Sequence, residues 1–192
     1  MPNKKMYIIA GCNGAGKTTA SFNILPAILH CKEYVNADEI ARGLSPFQPE
    51  KVAFEAARIM LKRIDELLLT NEDFAFETTL ATRSFHQLID RAKKLGYSVT
   101  LIYFWLSTTE LAELRVQRRV EEGGHDIPPD VIKRRYYRGI ENLFKLYQDL
   151  CDFVFVYDNS DDYPELVYER ELAKDMIIHN TEKLTKIKLL LP

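Results

Sequence analysis

Met6-Tyr7-Ile8-Ile9-Ala10-Gly11-Cys12-Asn13-Gly14-Ala15-Gly16-Lys17-Thr18-Thr19 begins as an apolar run of strand length and becomes a glycine-rich turn that delivers a lysine and two threonines. Gly11 to Thr18 satisfies G-x-x-x-x-G-K-[ST] at every fixed position, and it stands after an expected strand and before a helix expected from Lys17 to about Leu29. Glycines let the backbone curl until successive N–H groups point inward at phosphate oxygens, and the helix that follows adds the positive end of its dipole. The residues assigned to a nucleotide, with ATP as the default, are therefore Gly11, Cys12, Asn13, Gly14, Ala15, Gly16, Lys17, Thr18 and Thr19. Lys17 should reach the β and γ phosphates, and the Thr18 hydroxyl should bind the Mg²⁺ that bridges them. The plainer alternative is a strand-to-helix turn that binds nothing. Cys12 poses its own choice: the helix N-terminus favours a thiolate there, whereas a variable motif position asks only for a small side chain.

Outward from this point, strand-length apolar runs alternate with longer amphipathic stretches. Strands are expected at Tyr34 to Asn36, Phe74 to Glu77, Tyr97 to Leu106 and Phe153 to Tyr157, and helices at Glu50 to Leu69, Ser84 to Leu95, Glu110 to Glu121 and Asp130 to about Leu150. This order predicts an α/β fold of the P-loop NTPase, nucleotide-kinase-like type, with a parallel sheet covered by helices on both faces. One domain over residues 1–192 is expected, with a helical lid at about 115–138. The tail offers strand-like pieces at Glu165 to Glu169 and Asp175 to His179 and a helix near Thr181 to Leu191, a small extension of hairpin and helix over about 163–192.

Composition narrows the partners. A net charge of −2 argues against a surface that tracks long nucleic acid, which would carry a basic excess. Cys12, Cys31 and Cys151 fit neither a disulfide framework nor a zinc site, which points to a reducing cytosol. The apolar run after Lys4-Lys5 is too short for a signal peptide, and no stretch approaches the length of a membrane span. A cytoplasmic, unanchored protein is expected.

Two carboxylates and a set of arginines complete the chemistry. Asp38 follows the second expected strand, and strand C-termini open onto the ligand crevice in this fold class. It could accept the proton of an attacking hydroxyl, or it could only cap the short helix containing Glu39 to Arg42. Glu77 ends the third expected strand, where it could hold a magnesium-bound water or the acceptor, with Thr78 and Thr79 adding hydroxyls. Arg115, Arg118 and Arg119 share a helical face, and Arg134, Arg135 and Arg138 lie near the start of the next helix. Between them Glu121 to Pro129 carries two glycines and two prolines, the composition of a cover that could bring guanidinium groups onto phosphate oxygens. Solvated or paired arginines are the ordinary alternative.

The ordered set Gly11 to Thr19, Asn36-Ala37-Asp38-Glu39-Ile40-Ala41, Phe76-Glu77-Thr78-Thr79-Leu80 with Arg83-Ser84-Phe85, Arg118-Arg119-Val120, Gly123-Gly124-His125-Asp126-Ile127-Pro128 and Val156-Tyr157-Asp158-Asn159-Ser160 resembles the zeta-toxin-like family of P-loop kinases. That group includes toxins that phosphorylate UDP-N-acetylglucosamine. The resemblance implies an ATP- and Mg²⁺-dependent transfer to a small-molecule hydroxyl, with Asp38 as base and Glu77 on the acceptor and metal side. It maps the lid arginines onto Arg118 or Arg119 and onto Arg134 or Arg135, and lets Thr79 and Arg83 contact the acceptor. Rival readings are a kinase for another small hydroxyl compound, such as a nucleoside or an antibiotic, and a non-catalytic nucleotide-binding module that engages an antitoxin-like protein. An ABC-type ATPase lacks its LSGGQ-like signature here, and a GTPase lacks its Asn-Lys-x-Asp motif.

Overall fold

The computed structural model describes residues 4–124 and 126–192. Its first strand, β1 (Lys4–Ala10), has Met6 to Ala10 all buried, because neighbours on both edges and helices on both faces leave no exposed side. The chain leaves β1 through the glycine loop into α1 (Lys17–Ala27) and reaches the short edge strand β2 (Glu33–Val35). Next come α2 (Ala37–Leu44), a 3₁₀ turn at Pro49–Val52 and α3 (Ala53–Thr70). β3 (Phe74–Thr78) then enters between β2 and β1. α4 (Phe85–Lys94) leads to β4 (Tyr97–Trp105) on the other side of β1, and α5 (Thr109–Glu121) and α6 (Pro129–Lys145) lead to β5 (Phe153–Asp158).

These five strands are parallel, in the spatial order β2-β3-β1-β4-β5. The chain turns from one side of β1 to the other, so β1 is the switch point at whose C-terminal end ligands bind in such sheets. Register makes this concrete: Ala10 lies opposite Thr78 on one side and Tyr103 on the other, so the glycine loop leaves the sheet level with the ends of β3 and β4.

The expected hairpin proves to be part of the same sheet. β6 (Glu165–Glu171) pairs antiparallel with β5, and β7 (Ile177–Ile178) adds a short edge to β6 before α7 (Thr181–Leu189). The helix expected from Glu50 starts as the 3₁₀ turn, since Pro49 donates no N–H and sits at its first position. The helix expected to reach Leu150 stops at Lys145, and a separate 3₁₀ turn follows at Tyr147–Asp149.

α5 and α6 are anchored along most of their length. Ala112 and Val116 of α5, and Ile132, Tyr136, Gly139 and Ile140 of α6, are buried. A side chain at Gly139 would place its Cβ 2.7 Å from the Thr79 carbonyl oxygen, so glycine lets α6 lie directly on the exit of β3. The arginine-bearing helices are therefore anchored in the core, and Ile127 of the turn between them is buried with it. Among the described residues no helix is long and apolar enough to cross a membrane.

Candidate active site

The phosphate loop is shaped from both ends. Gly16 is the N-cap of α1 with φ 79°, a left-handed value that glycine adopts without cost. A Cβ there would also fall 2.5 Å from Asn159 Nδ2, and the Asn159 amide donates to the Ala15 carbonyl at 2.8 Å. Asn159 thus braces the loop from the end of β5. Arg115 fixes that brace, donating from Nη1 to Asn159 O at 2.7 Å and from Nη2 to Ser160 O at 2.9 Å.

Inside the loop Lys17 is buried, with its ammonium donating to Cys12 O at 2.9 Å and lying 3.4 Å from Glu77 Oε1. Glu77 gathers three further donors on its other oxygen. The Thr18 hydroxyl reaches Oε2 at 2.8 Å, the Tyr34 hydroxyl at 2.5 Å and the Asn36 amide at 3.0 Å. Burial first, and the Glu77 carboxylate second, hold the Tyr34 phenol well above its ordinary pKa, so it stays protonated as a donor.

The capping role considered for Asp38 falls to Asn36 instead. Asn36 has extended backbone and its Oδ1 accepts the Asp38 N–H at 2.8 Å, so Asn36 caps α2. Asp38 sits in the first turn of that helix with its carboxylate exposed. It borders two adjoining crevices. One, of ≈ 330 Å³, is lined by loop residues Asn13, Gly14, Gly16, Lys17, Thr18 and Thr19 together with Glu77, Arg115, Arg118 and Arg119. The other, of ≈ 500 Å³, runs between α2, the 3₁₀ turn and the end of α5, with Glu39, Arg42, Pro46, Pro49, Gly123 and Gly124 in its wall. Thr18, Asp38, Arg119 and Glu122 line both.

The arginines separate by position. Arg118 and Arg119 face the loop crevice. Arg135 is half-buried and donates from Nη1 to Asn13 Oδ1 at 3.1 Å. Burial lowers its pKa while the Asp38 carboxylate raises it, which brings Arg135 into the field of Asp38. Arg134 is exposed, and neither it nor Arg135 is among the described residues that line the two crevices. Thr79 and Arg83 are outside that lining too, and Arg83 Nε donates to Asn142 Oδ1 at 3.2 Å. His125 of the glycine-rich turn lies outside the described residues.

The thiolate reading of Cys12 is corrected. Its side chain is buried behind the loop, and burial pushes the thiol up to about 11, outweighing Lys17, its own backbone N–H and Arg115. Its main chain takes part instead, the Cys12 carbonyl accepting from Lys17 Nζ. Tyr34, Asn36 and the Asn159 brace were not legible beforehand, for each acts through a partner 41 or more positions away.

A central parallel sheet with the glycine loop at its switch point defines a P-loop NTPase fold of the kinase type. The sequence profile of the zeta toxin family matches residues 2–171, and the chain belongs to that family. An uncharacterized protein of Haemophilus influenzae is 31% identical over 137 residues, covering 71% of this chain and 94% of its own length. Among solved structures, the AvrRxo1-ORF1:AvrRxo1-ORF2 complex with sulphate superposes with TM-score 0.76 at 17% identity, over 96% of this chain and 63% of the other. The same complex crystallised with ATP gives 0.74 at 16% identity, again over 96% and 63%. The chain thus spans less than two thirds of that neighbour. The PezAT chromosomal toxin–antitoxin system of Streptococcus pneumoniae gives 0.71 at 17% identity, covering 100% of this chain and 79% of the other.

Proposed function

We propose that the protein transfers the γ-phosphate of ATP to an alcohol hydroxyl of a small molecule, with a sugar nucleotide such as UDP-N-acetylglucosamine as the first candidate acceptor. The observation that carries this reading is the meeting of two crevices at Asp38, one lined by Asn13, Gly14, Gly16, Lys17, Thr18 and Thr19 of the phosphate loop and the other sharing only Thr18 of these. A donor in the first and an acceptor in the second would bring their reacting oxygens together beside that carboxylate. Asp38 would take the proton as the acceptor oxygen forms its bond to phosphorus and the bond to the β-phosphate oxygen breaks. Lys17 would exchange Cys12 O for phosphate oxygens, and Arg119 and Arg135 would offset the charge spreading over the transferring group.

Thr18 and Glu77 form a donor set suited to Mg²⁺, a hydroxyl beside a carboxylate, since that ion keeps several waters and takes few protein ligands. When bound it would supply positive charge that offsets that of the phosphates. Glu77 is accordingly read as the metal-side carboxylate, and the acceptor roles of Thr79 and Arg83 rest on the family resemblance alone. Three buried free cysteines support a reducing, cytoplasmic setting. The PezAT neighbour supports a search for an antitoxin-like protein partner.

The test is mass spectrometry after incubation with Mg-ATP and a panel of sugar nucleotides, nucleosides and amino sugars. One added phosphate on a panel member is expected. ATP hydrolysis without any phosphorylated product would overturn the kinase reading in favour of an ATPase.

A further inference from the structure

We propose that Lys183, on the C-terminal helix α7, is a positioning residue for the nucleotide, because it fixes the loop Asp158 to Ser160 that braces the phosphate cradle. The inference rests on the functional reading above. α7 lies beyond residues 2–171, so this element is not part of what defines the family match.

The centre of the arrangement is Asp158, a carboxylate that is only 4% exposed at the end of β5. Its Oδ1 accepts from Ser160 N at 3.0 Å and from Ser160 Oγ at 2.5 Å, and its Oδ2 lies 2.6 Å from Lys183 Nζ. Burying a carboxylate is costly unless it is paired and hydrogen-bonded, and Lys183 is the cation that pairs Asp158. Lys183 is held in turn by Glu165 Oε2 at 2.7 Å, while Leu184 and Ile187 bury the other face of α7.

From Asp158 the path to the cradle is short. Ser160 Oγ accepts the Ser107 N–H at 2.8 Å, and Asn159 N donates to Trp105 O at 2.9 Å, tying the loop to the end of β4. Asn159 then holds Ala15 O and blocks the space beside Gly16, while Arg115 grips the carbonyls of Asn159 and Ser160. Loss of the ammonium would leave Asp158 buried and unpaired. The loop would have to shift toward water to relieve it, and Asn159 would leave Ala15.

A pair that merely pins α7 to the sheet would change stability and leave ligand affinity alone, so Mg-ADP affinity by calorimetry is the discriminating measurement. Lys183→Met in the full chain should weaken Mg-ADP binding about tenfold or more, Lys183→Arg should stay within about threefold, and Asp158→Asn combined with Lys183→Met should recover most of the loss. If Lys183→Met binds Mg-ADP like the wild type, whatever its melting temperature, the positioning role is overturned. Hydrogen exchange on the wild type gives a variant-free check. Amides of residues 158–160 and 181–189 should gain protection with Mg-ADP, and unchanged exchange in α7 would contradict the proposal. A wild-type chain that binds no Mg-ADP would instead overturn the phosphate-loop reading itself, and the strap with it.

Discussion

Replacing Glu77 by alanine removes the acceptor on which four side chains converge. Thr18 from α1, Tyr34 from β2 and Asn36 from the α2 cap each lose a bond to Oε2, and Lys17 loses its ion pair. The side chains of Lys17 and Glu77 are only 6% and 10% exposed, so the ammonium would be left with the Cys12 carbonyl as its hydrogen-bond acceptor in a site that water reaches poorly. Breaking a buried pair by removing one member costs ~3–5 kcal/mol. Each buried donor left without an acceptor adds ~1–3 kcal/mol, and water entering the space of the lost carboxylate offsets much of that second part. A net loss of about 4 kcal/mol follows, which in a chain of this size lowers the melting temperature by about 8–16 °C. Differential scanning calorimetry measures it, and Glu77→Gln, which keeps one acceptor oxygen, should fall between. A Glu77→Ala variant melting within about 2 °C of the wild type would refute the reasoning, because no buried cluster could then have depended on that carboxylate.

Two further outcomes follow from the same geometry. Arg135→Met should lower kcat/KM for phosphate transfer about a hundredfold or more, whereas Arg134→Met should stay within about threefold, since of the two Arg135 is the one that donates to a loop residue, Asn13; steady-state kinetics separates them. For Cys12, whose thiol is raised to about 11, roughly one molecule in a thousand carries the thiolate at pH 8, so alkylation of the native protein should be slow. The raised value means that the neutral form is the one the fold accepts. The stability this contributes is complete below the ordinary thiol pKa of 9.0 and is lost as pH rises through about 11. Melting temperatures measured from pH 8 to 11 should therefore fall, and Cys12→Ala should fall less steeply.

What the sequence disclosed was local chemistry at fixed spacing. The phosphate loop is legible because a curled main chain needs glycines where Gly11 and Gly16 stand, and because Lys17 and Thr18 follow at set distances. The parallel core was legible for a similar reason: runs such as Tyr97–Trp105 are apolar on both faces. The cap of α2 was not, since asparagine and aspartate cap equally well and the backbone of Asn36, not its identity, decides between them. Cys12 stayed open between two readings because a helix N-terminus and burial act in opposite directions on a thiol, and burial is a property of the packed sheet. The Glu77 cluster and the Lys183–Asp158 pair join residues that only the strand order brings together. Nothing in their separate neighbourhoods announces the partnership.

One carboxylate, that of Asp38, stands where the two crevices join. The most direct measurement compares Asp38→Asn with the wild type for Mg-ATP affinity and for single-turnover phosphate transfer to the acceptor that the panel identifies. Asn36 still caps α2 in that variant, so affinity should remain within about threefold while transfer falls by about a thousandfold or more. Transfer at the wild-type rate would contradict the assignment of Asp38 as the proton acceptor.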